Sequence, residues 1–199
     1  MLFFLEILSF LVWRKYRPLS LYSFTFLIRC LDLLLIFLFL RILGKSLRFL
    51  GFTHFKRGII YGGIGLFLLG LGIWGIREIP FFSRGRDFLR FSPSSPSLSF
   101  WKMLLITSTL PPFTEEVLFR GIFLEYLMER MNFLSSALLS SLLFALLHSP
   151  GYSFFPLIPF LGGLVFALLK EKSGSLWAPI LFHSLGNALL LSFPYILSV

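Results

Sequence analysis

Long apolar runs, broken at short intervals by small groups of basic residues, make up most of the chain. Their lengths predict helices that cross a bilayer, which need about 20 mostly apolar residues within a range of roughly 17–25. Leu21 to Leu43 meets that length and carries Arg29 and Asp32 three residues apart, hence on one helix face. Gly58 to Ile76 is uncharged throughout and closed by Arg77. Its Gly62, Gly63, Gly65, Gly70 and Gly72 would let a neighbouring helix come close. Leu2 to Trp13 is too short for a span and reads as a short first helix holding Glu6, or as an interfacial segment.

The middle of the chain changes character. Phe81 to Phe91 is basic and aromatic and reads as interfacial. The Pro- and Ser-rich stretch 92–99 reads as a loop. Trp101 to Arg130 is a long segment interrupted at Pro111-Pro112. Met131 to Leu169 is too long for one span, and Ser149-Pro150-Gly151 splits it into helices of about 133–148 and 155–169. Ser173 to Val199 supplies a last helix. The expected fold is all-α, a multi-pass transmembrane helical bundle of six to eight spans. It forms one integral-membrane domain over 1–199, with N-terminal helices in 1–99 and the motif-bearing helices in 100–199.

Composition agrees with that pattern. The chain of 199 residues is 57% hydrophobic and only 14% charged, against about 45–50% and about 25% in ordinary soluble domains. This excludes an ordinary soluble domain and a disordered chain. The net charge of +9 does not point to nucleic acid. Its basic residues sit in short groups between apolar runs, where membrane topology and anionic lipid headgroups favour them. The one cysteine, Cys30, rules out an intrachain disulfide and a cysteine zinc site and reads as a packing residue. Met1 to Trp13 lacks the features of a cleaved signal peptide, and the C-terminus carries no lipidation motif. Trp13, Trp101 and Trp177 read as interface anchors. The charge rule leaves topology unresolved: basic groups at Arg41 to Arg57 and Arg77 to Lys102 lie at opposite ends of one helix.

Ionisable groups inside spans are costly and usually functional. In the second half they are Glu115-Glu116 with Arg120, then His148, then His183 with Asn187. If helices 114–130 and 133–148 form a hairpin turning near Asn132, Glu115 and His148 lie 17 and 16 residues from the turn. Both then sit roughly 24 Å from it, at about 1.5 Å per residue. Counted from Lys172, His183 and Asn187 approach the same level, one turn apart on one face. Three helices thus bring a carboxylate, two imidazoles and an amide to a common depth. Glu116 precedes Arg120 by four residues, the favourable order for an intrahelical ion pair. Glu115 points about 100° away from Glu116 and is left free for chemistry. Pro111-Pro112 would start a helix near an N-capping Thr114, whose dipole favours ionised carboxylates. Glu125, Glu129 and Arg130 read as a solvated helix end.

At these positions the chain resembles the CAAX-protease and bacteriocin-processing family of intramembrane proteases. The Glu-Glu-x-x-x-Arg motif is Glu115-Glu116-Val117-Leu118-Phe119-Arg120, the Phe-x-x-x-His motif runs from Phe144 to His148, and the His-x-x-x-Asn/Asp motif from His183 to Asn187. The lead-in Gly174-Ser175-Leu176-Trp177-Ala178-Pro179-Ile180 is typical of bacterial members. The resemblance covers roughly residues 100 to 190. It implies hydrolysis of a peptide bond in a membrane-associated protein or peptide, prenylated or merely hydrophobic, in a bacterial cytoplasmic membrane. Glu115 and His148 would activate a water, His183 and Asn187 would stabilise the oxyanion, and Glu116 with Arg120 would form a supporting pair. A metal variant stands beside it: Glu115, His148 and His183 form a His₂Glu set of the kind that holds catalytic zinc with an open position for water. The expected partners are membrane lipids and that substrate, not nucleic acid. The alternatives from other classes are a non-catalytic scaffold or immunity protein and an ion-coupled transporter, for which the same polar cluster would be a relay.

Overall fold

The computed structural model describes residues 13, 15–16, 20–77, 98–148 and 156–196, mostly helical with short turns and irregular links between helices, and no strand among them. The expected elements at Leu2 to Val12, Phe81 to Phe91 and 92–97, and the break at Ser149 to Gly151, lie outside the described residues. Helix α1 spans Leu21–Ile42 and opens on Ser20, whose hydroxyl accepts the backbone N–H of Ser23 at 3.2 Å. Helix α2 spans Phe55–Arg77. These two helices are long and apolar enough to cross a membrane, and most of their surface is not covered by the rest of the chain. Cys30 on α1 is exposed rather than packed: the neighbouring stripe of α1 makes the contacts.

The long segment from Leu98 onward breaks earlier than expected. Helix α3 ends at Thr107 (Leu98–Thr107), and α4 begins at Leu110 (Leu110–Glu116). The prolines therefore sit inside the first turn of α4, where their missing N–H groups would find no helical partner anyway. Thr114 is no cap; its hydroxyl donates back to the carbonyl of Leu110 at 2.8 Å. The helix runs on through a π-helical stretch, Val117–Phe123, into α5, Leu124–Met128. Glu115 and Glu116 thus lie at the end of α4, away from any helix N-terminus, and the expected dipole support does not apply.

Helices α6 (Phe133–His148) and α7 (Leu157–Ser173) pack against each other. A Cβ on Gly163 would lie 2.8 Å from Ser141 Cβ, so only glycine permits this approach. The buried face of α6 is built from small residues and one ring: Ser136, Ala137, Ser140, Ser141, Phe144 and Ala145. Gly174 ends α7 in the left-handed region at φ 63°, and α8 starts at Trp177 (Trp177–Ile196).

Helix α2 packs on α8 through some of its glycines only. Gly58, Gly62 and Gly65 meet Trp177, Ala178, Leu181 and Phe182, whereas Gly63, Gly70 and Gly72 face open space. The turn before α2 docks on the turn before α8: Leu176 N–H donates to Gly51 O at 2.8 Å, and Thr53 Oγ1 donates to Gly174 O at 3.0 Å. Trp177 packs edge-on against Phe52 and Phe55. The basic group at Arg41 to Arg57 therefore lies on the same end of the fold as Lys172, whose carbonyl accepts from Arg57 at 2.9 Å. Lys170 itself is buried and ion-paired with Glu125, so neither is the solvated charge that its position near a helix end predicts. Glu129 and Arg130 pair at 3.3 Å and remain about half exposed, as expected.

Candidate active site

Four helices bring the polar residues together. Glu115 comes from the end of α4, His148 from the last position of α6, and His183 from the second turn of α8. Glu115 Oε2 lies 4.0 Å from His148 Nε2 and 3.9 Å from His183 Nε2. Glu115, His148 and His183 thus meet as the count from the turns expects, whereas Asn187, one turn further along α8, reaches Thr107 instead.

The far nitrogen of each imidazole is tied down. His148 Nδ1 is 2.8 Å from the carbonyl of Phe144, which can only accept, so Nδ1 carries the proton. His183 Nδ1 is 2.8 Å from Glu116 Oε1, which also accepts from Arg120 Nη1 at 3.2 Å. A carboxylate paired with a guanidinium is an acceptor, so this Nδ1 donates too. In their neutral forms both rings therefore turn an Nε2 lone pair towards Glu115 Oε2. Three acceptors facing one small gap call for a proton donor between them.

Glu116 and Arg120 are fully buried. Arg120 also donates to Gly163 O at 3.0 Å, and its guanidinium lies 4.7 Å from the Phe144 ring and 4.9 Å from that of Phe166. Phe166 stacks on His183 at 4.4 Å, and Phe144 lies 4.4 Å from the ring of His148. The two phenylalanines therefore wall Arg120 and His183 into one apolar enclosure, while His148, its side chain 37% exposed, stands at its edge. Among the described residues Glu116 Oε2 and Arg120 Nε have no hydrogen-bond partner. Asn187 Nδ2 reaches Thr107 O at 3.5 Å, a long bond at the outer limit.

The fourth helix was not legible as part of this cluster. Arg29 on α1 donates to Asp32 Oδ2 at 3.0 Å and reaches Glu115 Oε1 at 3.5 Å. Glu115 is thus not free of a counter-charge. The i, i+3 spacing of Arg29 and Asp32 was the available signal; their target on another helix left no mark in local sequence. Phe166 had no signal among 27 phenylalanines, and Gly163 none beyond its type.

The donor types suit a metal ion, but the spacing does not. Two ligands about 2.05 Å from one tetrahedral ion stand about 3.3 Å apart, less than the 3.9 and 4.0 Å found here. Arg29 also places a cation beside the carboxylate. Among the described residues no group of three His, Cys, Asp or Glu is arranged to hold a metal ion.

The family model described as "Type II CAAX prenyl endopeptidase Rce1-like" aligns with the part of the chain that carries this cluster. Residues 97–189 match the Rce1-like family. The Rce1-like segment holds Glu115, Glu116, Arg120, His148, His183 and Asn187; Arg29 and Asp32 lie outside it. The resemblance read from the three motifs is thereby borne out. A relative from Bacillus subtilis (strain 168), "Putative membrane peptidase YdiL", is 32% identical over 85 residues, 43% of this chain and 34% of that protein. An "Uncharacterized 24.3 kDa protein" of Escherichia coli is 34% identical over 123 residues, 60% of this chain and 54% of that protein. The alignments thus span about a third and about half of the length of these curated relatives. No solved structure matches the chain. The Rce1-like match and the two apolar helices point to an integral membrane protein, and the family points to a membrane protease.

Proposed function

We propose that the chain is a multi-pass helical membrane protein of a bacterial cytoplasmic membrane that hydrolyses a peptide bond of a membrane-associated protein or hydrophobic peptide. The observation that carries this reading is the gap between Glu115 Oε2 and the two Nε2 atoms. A water about 2.8 Å from two atoms that are 4.0 Å apart subtends an angle near 90° between them, which a hydrogen-bonded water accepts. Its two O–H groups satisfy acceptors, and its oxygen lone pair is left for attack.

Glu115 takes the proton as the water oxygen bonds to the scissile carbonyl carbon, with His148 holding the same water. Collapse of the tetrahedral intermediate breaks the C–N bond, and the proton passes to the leaving amine. His183 becomes an Nε2–H donor to the oxyanion only when doubly protonated. Its Nδ1–H stays bonded to the Glu116 carboxylate, which Arg120 keeps in place. Asn187 supplies a second donor once it leaves its long bond to Thr107. Depth supports the reading as well. Glu125, paired with Lys170 near the basic end, is ten residues beyond Glu115, somewhat less than the roughly 15 Å of an α-helix because the π-helical stretch Val117–Phe123 rises less per residue. The reacting groups then sit inside the hydrocarbon layer.

Comparing membrane proteomes from cells with the wild type, Glu115→Gln and His148→Gln tests the reading. At least one peptide should be cleaved by the wild type only, with all three proteins equally abundant and folded. Identical proteomes would favour a scaffold or a transporter instead.

A further inference from the structure

We propose that Arg29, held by Asp32, is the positioning residue for Glu115, so that α1 completes an active site which the Rce1-like segment alone does not contain. The inference rests on the protease reading above. Four residues of α1, Arg29, Asp32, Ile36 and Leu40, follow one another at spacings of three, four and four, a single helical stripe. Ile36 and Leu40 are core residues packed with Val117, Leu176 and Ile180. The same face that anchors α1 to the site-bearing helices therefore carries the ion pair.

Asp32 by itself is a sufficient partner for Arg29 within the helix, at 3.0 Å. The reach of Arg29 Nη2 to Glu115 Oε1 across two helices, at 3.5 Å, goes beyond what pairing within α1 requires. It divides the labour between the two carboxylate oxygens: Oε1 faces the guanidinium, and Oε2 faces both imidazoles. A glutamate terminal torsion is broad and nearly two-fold, so without this contact either oxygen could turn to the water and neither would stay. The Arg29, Asp32 and Glu115 side chains are 19%, 7% and 15% exposed, so solvent does little to replace the guanidinium.

Two measurements on the full-length protein in lipid nanodiscs test this. The first is a double-mutant cycle on the thermal midpoint with Arg29→Gln, Glu115→Gln and the pair. The doubly changed protein should lose less than the sum of the single losses; additive losses would overturn the contact. The second follows cleavage of a fluorogenic peptide ending in a farnesylated cysteine and three further residues, and of its unfarnesylated twin. The variant Arg29→Gln with Asp32→Asn removes both charges of the α1 pair together, so that Asp32 is not left without Arg29. It should fold and lose about 10- to 100-fold in kcat at unchanged KM, the scale of a misplaced reacting group. Arg29→Lys, which keeps the charge, should recover part of that loss. Unchanged kcat in the double variant, with Glu115→Gln inactive, would overturn the positioning role and leave the protease reading standing. Cleavage by no form, the wild type included, would remove the role together with the protease reading, and the cycle would then judge the contact alone.

Discussion

Glu116→Gln is the sharpest test of how the enclosure is held together. Glu116 and Arg120 are both fully buried, with Oε1 and Nη1 3.2 Å apart. The change keeps the size of the side chain and an oxygen that can still accept from Arg120 and His183, so what is lost is charge rather than contact. Arg120 then remains buried among neutral acceptors, the new amide oxygen and the Gly163 carbonyl, and the faces of Phe144 and Phe166, with Glu115 as its remaining carboxylate neighbour. Removing one partner of a buried pair costs about 3–5 kcal/mol. With the hydrogen-bond acceptor retained, the lower end, about 3 kcal/mol, is expected. That is somewhat over a hundredfold in the ratio of folded to unfolded protein, at about 1.4 kcal/mol per tenfold.

Unfolding in mixed micelles of lipid, mild detergent and dodecyl sulfate reads this loss directly. A companion variant, Glu116→Leu with Arg120→Met, removes both charges and should cost less than Glu116→Gln, because no unpaired ion remains in the interior. A loss under about 1 kcal/mol for the single change, or a larger loss for the companion, would refute the view that a desolvated counter-charge is what holds Arg120 in place.

Two other outcomes are expected. Gly163→Ala places a Cβ 2.8 Å from Ser141 Cβ and 3.0 Å from Ser141 Cα. It should force α6 and α7 apart and lower stability by about 1–3 kcal/mol, seen as a reduced thermal midpoint; an unchanged midpoint would show that the helices part freely. The 3.9 and 4.0 Å separations around Glu115 predict that purified protein keeps its activity through exhaustive chelation. Stoichiometric zinc in elemental analysis, with activity lost on its removal and restored on its return, would contradict that.

Much of the site could be read along the chain because it is written in helical spacing. The Glu116–Arg120 pair follows from an i, i+4 interval, and the meeting of Glu115 with His148 from nearly equal counts to one turn, with His183 approaching the same level from the other. The apolar stretches at Leu21 to Leu43 and Gly58 to Ile76 return as α1 and α2 nearly residue for residue. Where the reading failed, the deciding partner was distant. Thr114 seemed a cap, but packing and the two prolines moved the helix start to Leu110. Glu125 seemed a solvated charge until Lys170, 45 residues away, met it. The π-helical stretch from Val117 to Phe123 left no pattern to find, since it changes the register of a helix without changing its composition.

The sequence by itself determined that the chain is helical and apolar, and which few polar residues its apolar helices carry, because length, periodicity and the cost of burying charge act locally. Only the tertiary structure decided how those residues share their bonds: Oε1 of Glu115 to Arg29, Oε1 of Glu116 to His183 and Arg120, and a gap in front of both Nε2 atoms. The physical reason is that a hydrogen bond is fixed to within tenths of an ångström. That precision comes from rings and glycines on four helices packing at once, which no single stretch of sequence contains.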